Sequence, residues 1–145
     1  MPQRIGLALG GGGSKGAFTV GALKVIDQIL DPVPYPVVSG TSTGALIGTL
    51  LATNQFARLV EVYSNVQTEN IVNPNHALVA ALAGPEAVLF ASAVLGGRAI
   101  YDTSALRRTI ENNVDFARVK AAASRTLLIY NAVNLQSGKL ETFDN

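Results

Sequence analysis

Short apolar runs alternate with helically spaced stretches along this chain. Ile5 to Leu9 is an apolar run that closes on glycine, the profile of a strand buried on both faces of a parallel sheet. After Gly10–Gly16, the residues Ala17, Val20, Leu23, Ile26 and Leu30 recur at helical spacing with Lys24, Asp27 and Gln28 between them, which predicts a helix over 17–30. Pro32, Pro34 and Pro36 end that helix, and Val37-Val38-Ser39 predicts a second strand. Gly40–Gly44 separates this strand from a second helix over Ala45–Ala52, and a third spans Phe56–Val66, with Phe56, Leu59, Val60 and Tyr63 opposite Arg58 and Glu61. Asn70–His76 reads as a loop, and Tyr101–Arg108 as a capped helix start that runs on to Asn112. Thr126–Asn134 predicts a third strand, joined by a turn at Gln136–Lys139 to a fourth at Leu140–Phe143. Strands alternating with helices predict an α/β fold with a mainly parallel sheet, and no repeat or linker divides residues 1–145 into more than one domain.

The window from Ala77 to Leu95 is apolar enough to raise a membrane span, but Gly84, Pro85 and Glu86 sit at its middle. It reads as two short buried helices, a surface hairpin, or an apolar flap over a lipid-handling site. Met1–Leu9 lacks a separate apolar segment with a cleavage site, so the pattern favours a cytoplasmic protein, able to work at a membrane periphery.

Charge narrows the choice of partners. Eleven Lys and Arg against ten Asp and Glu give a net charge of +1, with no basic stripe for nucleic acid. Only 14% of residues are charged and 48% are hydrophobic, against about 25% charged in an average soluble domain, which excludes a disordered chain. With no Cys and a single His, His76, there is no disulfide scaffold, thiol nucleophile or histidine-based metal cluster. Oligomeric state leaves no mark in the sequence.

Two glycine constellations carry the chemistry. Gly40-Thr41-Ser42-Thr43-Gly44 is a G-x-S-x-G segment between a strand and a helix, where a serine stands on a cramped turn with its hydroxyl raised above the sheet. The following helix aims its free N–H groups at the same place, which favours an oxyanion. Gly11-Gly12-Gly13-Ser14-Lys15-Gly16 satisfies G-x-G-x-x-G, and Asp31 lies near the distance of a ribose-binding acid, so a nucleotide-binding Rossmann-like domain is one reading. Successive glycine amides at a helix start can equally hold the oxygen of a substrate carbonyl. A third reading is an interaction module that kept the fold without catalysis.

Taken together, Leu7–Ala17 followed by Gly40–Gly44 resembles the patatin-like phospholipase family in its bacterial form, with weaker likeness at Tyr101–Leu106 and Ala132–Lys139. The resemblance implies a three-layer α/β/α fold and a lipid acyl hydrolase working with a Ser–Asp dyad. Ser42 corresponds to the nucleophile and Gly11, Gly12 and Gly13 to the oxyanion loop. Lys15 stands at that loop's basic position, and Gly16, Gly40, Thr43 and Gly44 support the two motifs. The implied substrate is a phospholipid or other acyl-ester lipid met in transient contact with a membrane surface, and no metal or organic cofactor is implied. The family's aspartate stands in an Asp-Gly-Gly or Asp-Gly-Ala motif, and no Asp-Gly pair occurs here. The sequence is therefore expected to be the N-terminal portion of a longer protein, carrying the nucleophile half of a site. Asp27, Asp31, Asp102 and Asp115 read as helix-surface, helix-end or capping residues, and His76 as a surface residue.

Overall fold

The computed structural model describes residues 5–30, 35–67, 70–71, 73–74, 101–102 and 104–145. The chain divides into two compact units, Met1–Asn65 with Val114–Asn145, and Val66–Asn113. His76, Asp31 and the apolar window 77–95 lie outside the described residues. Among those that are described, no helix is long and apolar enough to cross a membrane.

The first unit is built on a four-stranded sheet of β1 (Leu7–Leu9), β2 (Val37–Thr41), β5 (Leu127–Val133) and β6 (Leu140–Asp144), in that spatial order. β1, β2 and β5 run parallel, with Leu9 beside Gly40 and Thr41 beside Asn131, while β6 returns antiparallel through the hairpin. The mainly parallel α/β class is as the alternation predicts. One turn of 3-10 helix, Gly13–Lys15, leads from the glycine loop into α1 (Gly16–Leu30); α2 (Thr43–Ala52) and α3 (Phe56–Asn65) follow β2, and α5 (Phe116–Ala122) precedes β5.

Leu9, Val38, Gly40, Leu128 and Tyr130 alternate onto the face covered by α2, where Ile47, Leu59, Leu128 and Val38 are the largest fully buried side chains. α2 lies close, because Gly48 has no side chain to push Val38 away: a Cβ there would meet Val38 Cγ1 at 2.7 Å. A hydrogen bond of 3.0 Å between the Thr49 and Tyr130 hydroxyls ties α2 to β5. The crossovers from β1 to β2 and from β2 to β5 step the same way across the sheet. Taken with the same hand, such connections lay their helices on one face. Accordingly α1, α3 and α5 all touch α2. Of the two helix layers expected, the described residues supply this one.

The differences from the sequence reading have local causes. Ile5–Leu9 is not buried on both faces, since Ala8 points to the side of the sheet away from α2, where Val37, Thr41 and Leu127 of the interior strands are exposed as well. α5 was not expected; its signal is Asp115, whose carboxylate accepts the Ala117 and Arg118 amides at 3.0 and 3.2 Å, which makes it a capping residue among the three alternatives left open for it.

In the second unit, β3 (Asn73–Pro74) pairs antiparallel with β4 (Tyr101–Asp102), and α4 runs over Ser104–Asn113. Tyr101 and Asp102 thus precede the helix as a strand rather than opening it. Thr109 Oγ1 donates to the Asn70 carbonyl at 2.6 Å.

Candidate active site

Ser42 is the hinge between β2 and α2. Its backbone has φ 53° and ψ −124°, a left-handed conformation that costs a non-glycine residue about 1–3 kcal/mol. The turn is held from both sides. The Ser42 carbonyl accepts the Ala45 amide at 3.0 Å and the Leu46 amide at 3.4 Å, locking the serine onto the first turn of α2. A Cβ on Gly40 would lie 2.6 Å from Ala45 N and Cα, and one on Gly44 would overlap the Leu9 carbonyl oxygen and stand 2.7 Å from that of Gly10. All these atoms are backbone and cannot swing aside, so both outer positions of the G-x-S-x-G segment require glycine. The serine is exposed, and no described residue hydrogen-bonds its hydroxyl.

Because β1 and β2 are parallel neighbours, their carboxyl ends open on the same edge, and the loop leaving β1 meets the turn leaving β2. Gly11 is the point of contact. A side chain there would begin 3.1 Å from Ser42 Cβ, 3.8 Å from its Oγ and 3.3 Å from the Thr41 carbonyl oxygen. The next glycines shape the loop differently. The Gly12 carbonyl accepts the Lys15 amide at 3.1 Å, and Gly13, at φ 57°, takes the left-handed turn that admits the 3-10 helix. Lys15 is exposed. Gly16, the first residue of α1, makes room for the Tyr63 ring, whose Cε1 and hydroxyl would stand 2.7 and 2.8 Å from a Cβ at 16. Burial of that ring raises the Tyr63 phenol above its ordinary pKa.

Thr43 opens α2, where the first amides of a helix have no acceptor within it. Its hydroxyl oxygen is buried without a hydrogen-bond partner. The structure therefore brings Gly11, Ser42, Thr43 and Gly44 together, with Gly12, Gly13, Lys15 and Gly16 continuing the loop into α1.

A profile of the patatin-like phospholipases matches residues 7–144. The chain belongs to the patatin-like phospholipase family. It is 30% identical over 146 aligned positions to a cGAMP-activated phospholipase of Escherichia coli, an alignment covering 92% of this chain and 37% of that protein. It is 38% identical over 65 residues to the Saccharomyces cerevisiae lysophospholipase NTE1, and 50% identical over 48 residues to a patatin-like phospholipase domain-containing protein of Caenorhabditis elegans. These matches cover 45% and 33% of the chain, and only 4% and 3% of the two relatives. No solved structure matches.

The described carboxylates nearest in kind to a dyad base are engaged or placed elsewhere. Asp115 caps α5 and pairs with Arg118 at 3.3 Å, Asp27 lies near enough to Tyr35 to help raise its phenol pKa, and Asp144 is exposed on the edge strand β6. Asp31, on which the dinucleotide reading depends, falls outside the described residues.

Proposed function

We propose that this chain carries the nucleophile and oxyanion loop of a serine lipid acyl hydrolase acting on a phospholipid or another acyl-ester lipid. The observation that carries the reading is the approach of Gly11 to Ser42. The bare backbone of a glycine loop beside the serine supports the reading of that loop as the place where the carbonyl oxygen of an ester attacked by Ser42 Oγ would develop charge.

In this reading Ser42 Oγ adds to the ester carbonyl as its proton passes to the base of the dyad. The amides of Gly11, Gly12 and Gly13, with that of Thr43 at the α2 N-terminus, receive the oxyanion. Collapse expels the lipid alcohol, which takes up the proton, and leaves the acyl group on Ser42. Water then attacks the acyl-serine, giving up a proton to the base, which passes it to Ser42 Oγ as the free fatty acid departs. The strain at Ser42 serves this chemistry by holding the hydroxyl out of hydrogen-bonding contact with its own turn.

The base is proposed to be an aspartate other than Asp27, Asp115 and Asp144, in keeping with the Asp-Gly-Gly or Asp-Gly-Ala motif that the family resemblance implies. The isolated 145-residue chain is accordingly proposed to hydrolyse esters poorly, its serine standing at an unactivated pKa.

The test is labelling of the natural full-length protein with a fluorophosphonate, alongside hydrolysis of a fluorogenic phospholipid. A single adduct mapped to Ser42, with label and hydrolysis both lost in Ser42→Ala, is expected. Hydrolysis that survives the substitution, or an adduct at another residue, refutes the assignment.

A further inference from the structure

We propose that the tip of the β5–β6 hairpin and the first turn of α1 form one docking surface for an anionic phospholipid bilayer, flanking Ser42 on both sides. The inference rests on the lipid-hydrolase reading for its biological purpose and on the geometry of the sheet edge for its place.

The register fixes that place. Thr41 lies beside Asn131, and Ser42 turns away directly after it, whereas β5 continues through Ala132 and Val133. At roughly 3.3 Å per residue the hairpin therefore projects past the level of the serine by about 7 Å. On the other side of β2, the glycine loop climbs from β1 to the same edge and delivers the start of α1 there. The strand carrying the hydroxyl thus has a projecting element on each neighbour.

Both projections are apolar where a soluble surface has no use for it. Leu135 at the hairpin tip is 95% exposed, and Val133 and Leu140, opposite each other in the register, are exposed as well. Phe18, one turn into α1, is 82% exposed, on a helix whose Val20 and Leu23 already fill the core. One exposed leucine means little, and Ile29, Phe116 and Leu127 are exposed elsewhere; what singles out Phe18, Val133, Leu135 and Leu140 is that they flank the edge carrying Ser42.

Charge selects the occupant. Each projection carries an exposed lysine, Lys15 beside the first turn of α1 and Lys139 in the hairpin, and neither has an ion-pair partner among the described residues. Glu141, on the same hairpin, accepts a hydrogen bond of 2.7 Å from the Asn134 side chain. Apolar side chains that enter the acyl boundary, with ammonium groups left at headgroup level, suit a bilayer bearing anionic lipid.

These 145 residues contain no tryptophan, so one introduced here reports insertion site by site as the difference from the parent's emission. Phe18→Trp and Leu135→Trp, with Ser124→Trp at the opposite, strand-start edge as control, are placed in a Ser42→Ala full-length background. They are titrated with phosphatidylcholine vesicles with and without phosphatidylglycerol. Blue-shifted, brightened emission from positions 18 and 135 but not 124, stronger with phosphatidylglycerol, is expected. Leu135→Asp with Lys139→Glu, both on an exposed turn that tolerates them, should cut vesicle co-sedimentation at least tenfold. Silence at 18 or 135, an equal shift at 124, equal binding without anionic lipid, or undiminished sedimentation of the double variant overturns the proposal. Since Ser42 is absent throughout, vesicle binding by a protein whose serine never labels refutes only the hydrolase reading, and labelling without vesicle binding refutes only the docking surface.

Discussion

A methyl group added to Gly11 would stand 3.1 Å from Ser42 Cβ, closer than side chains ordinarily approach. Gly11→Ala therefore pits the new methyl against the serine at the very spot assigned to the ester. The neighbours need yield only a few tenths of an ångström, so the fold survives, with a melting temperature within a few degrees of the parent. Alanine keeps the amide, but its methyl would push the ester oxygen away from it, so phospholipid hydrolysis by the full-length protein should fall on the order of 10²-fold, the scale seen when an oxyanion donor is lost. Steady-state kinetics beside a thermal melt decide it: unchanged kcat and KM would remove Gly11 from the site.

Gly44 offers a harsher case and Gly21 its control. Alanine at 44 drives its methyl into the carbonyls of Leu9 and Gly10, which are backbone, so the cost should reach about 2 kcal/mol or more, the upper part of the range for overpacking. Alanine at 21, on the exposed side of α1 with nothing within 4 Å, should stabilise by about 0.5–1 kcal/mol through helix propensity alone. Urea denaturation of the two variants should move the midpoint in opposite directions.

Thr43 presents a buried hydroxyl oxygen without a partner. Valine has nearly the same shape and removes the desolvation cost that an unsatisfied hydroxyl carries, so Thr43→Val should gain about 1 kcal/mol in stability. A loss of that size in chemical denaturation would mean that the hydroxyl is satisfied in solution.

Two phenols give the fold an alkaline limit. Burial raises the Tyr63 pKa above 10.0, and burial followed by the Asp27 carboxylate raises that of Tyr35. The folded state therefore keeps protons that the unfolded chain releases. Their contribution to stability is complete below pH 10 and is lost as pH rises through the folded values. Unfolding free energy measured between about pH 9 and 11 should decline, and Tyr63→Phe and Tyr35→Phe should each flatten the decline. Slopes identical to the parent would show that neither phenol is perturbed.

Much of this architecture was legible in the residues because it is local. Val20, Leu23, Leu50 and Leu59 are core residues whose helical spacing is written in the chain, and Gly40 and Gly44 announce a turn that no side chain could enter. What escaped depends on neighbours distant in sequence. Gly16 looks like one more loop glycine until Tyr63, on another helix, is found lying over it. Ala8 belongs to an apolar run that any periodicity argument would bury, yet it lies on the face of the sheet that no described helix covers. α5 is short and weakly patterned, and only its Asp115 cap betrays it. The distance from Gly11 to Ser42 follows from the parallel pairing of β1 and β2, a tertiary fact that the two motifs suggest only jointly.

The seating of Gly44 against the Leu9 and Gly10 carbonyls has a mechanical corollary. The serine turn and the polyglycine bend share a bearing surface without a covalent link, so neither can be repositioned alone. A shift in the one drags the other, and reactivity cannot be retuned in small steps by sliding the hydroxyl relative to its amides. On the proposed hydrolase reading, variation toward new esters has to come from the rim around this joint, with the joint itself left as it is.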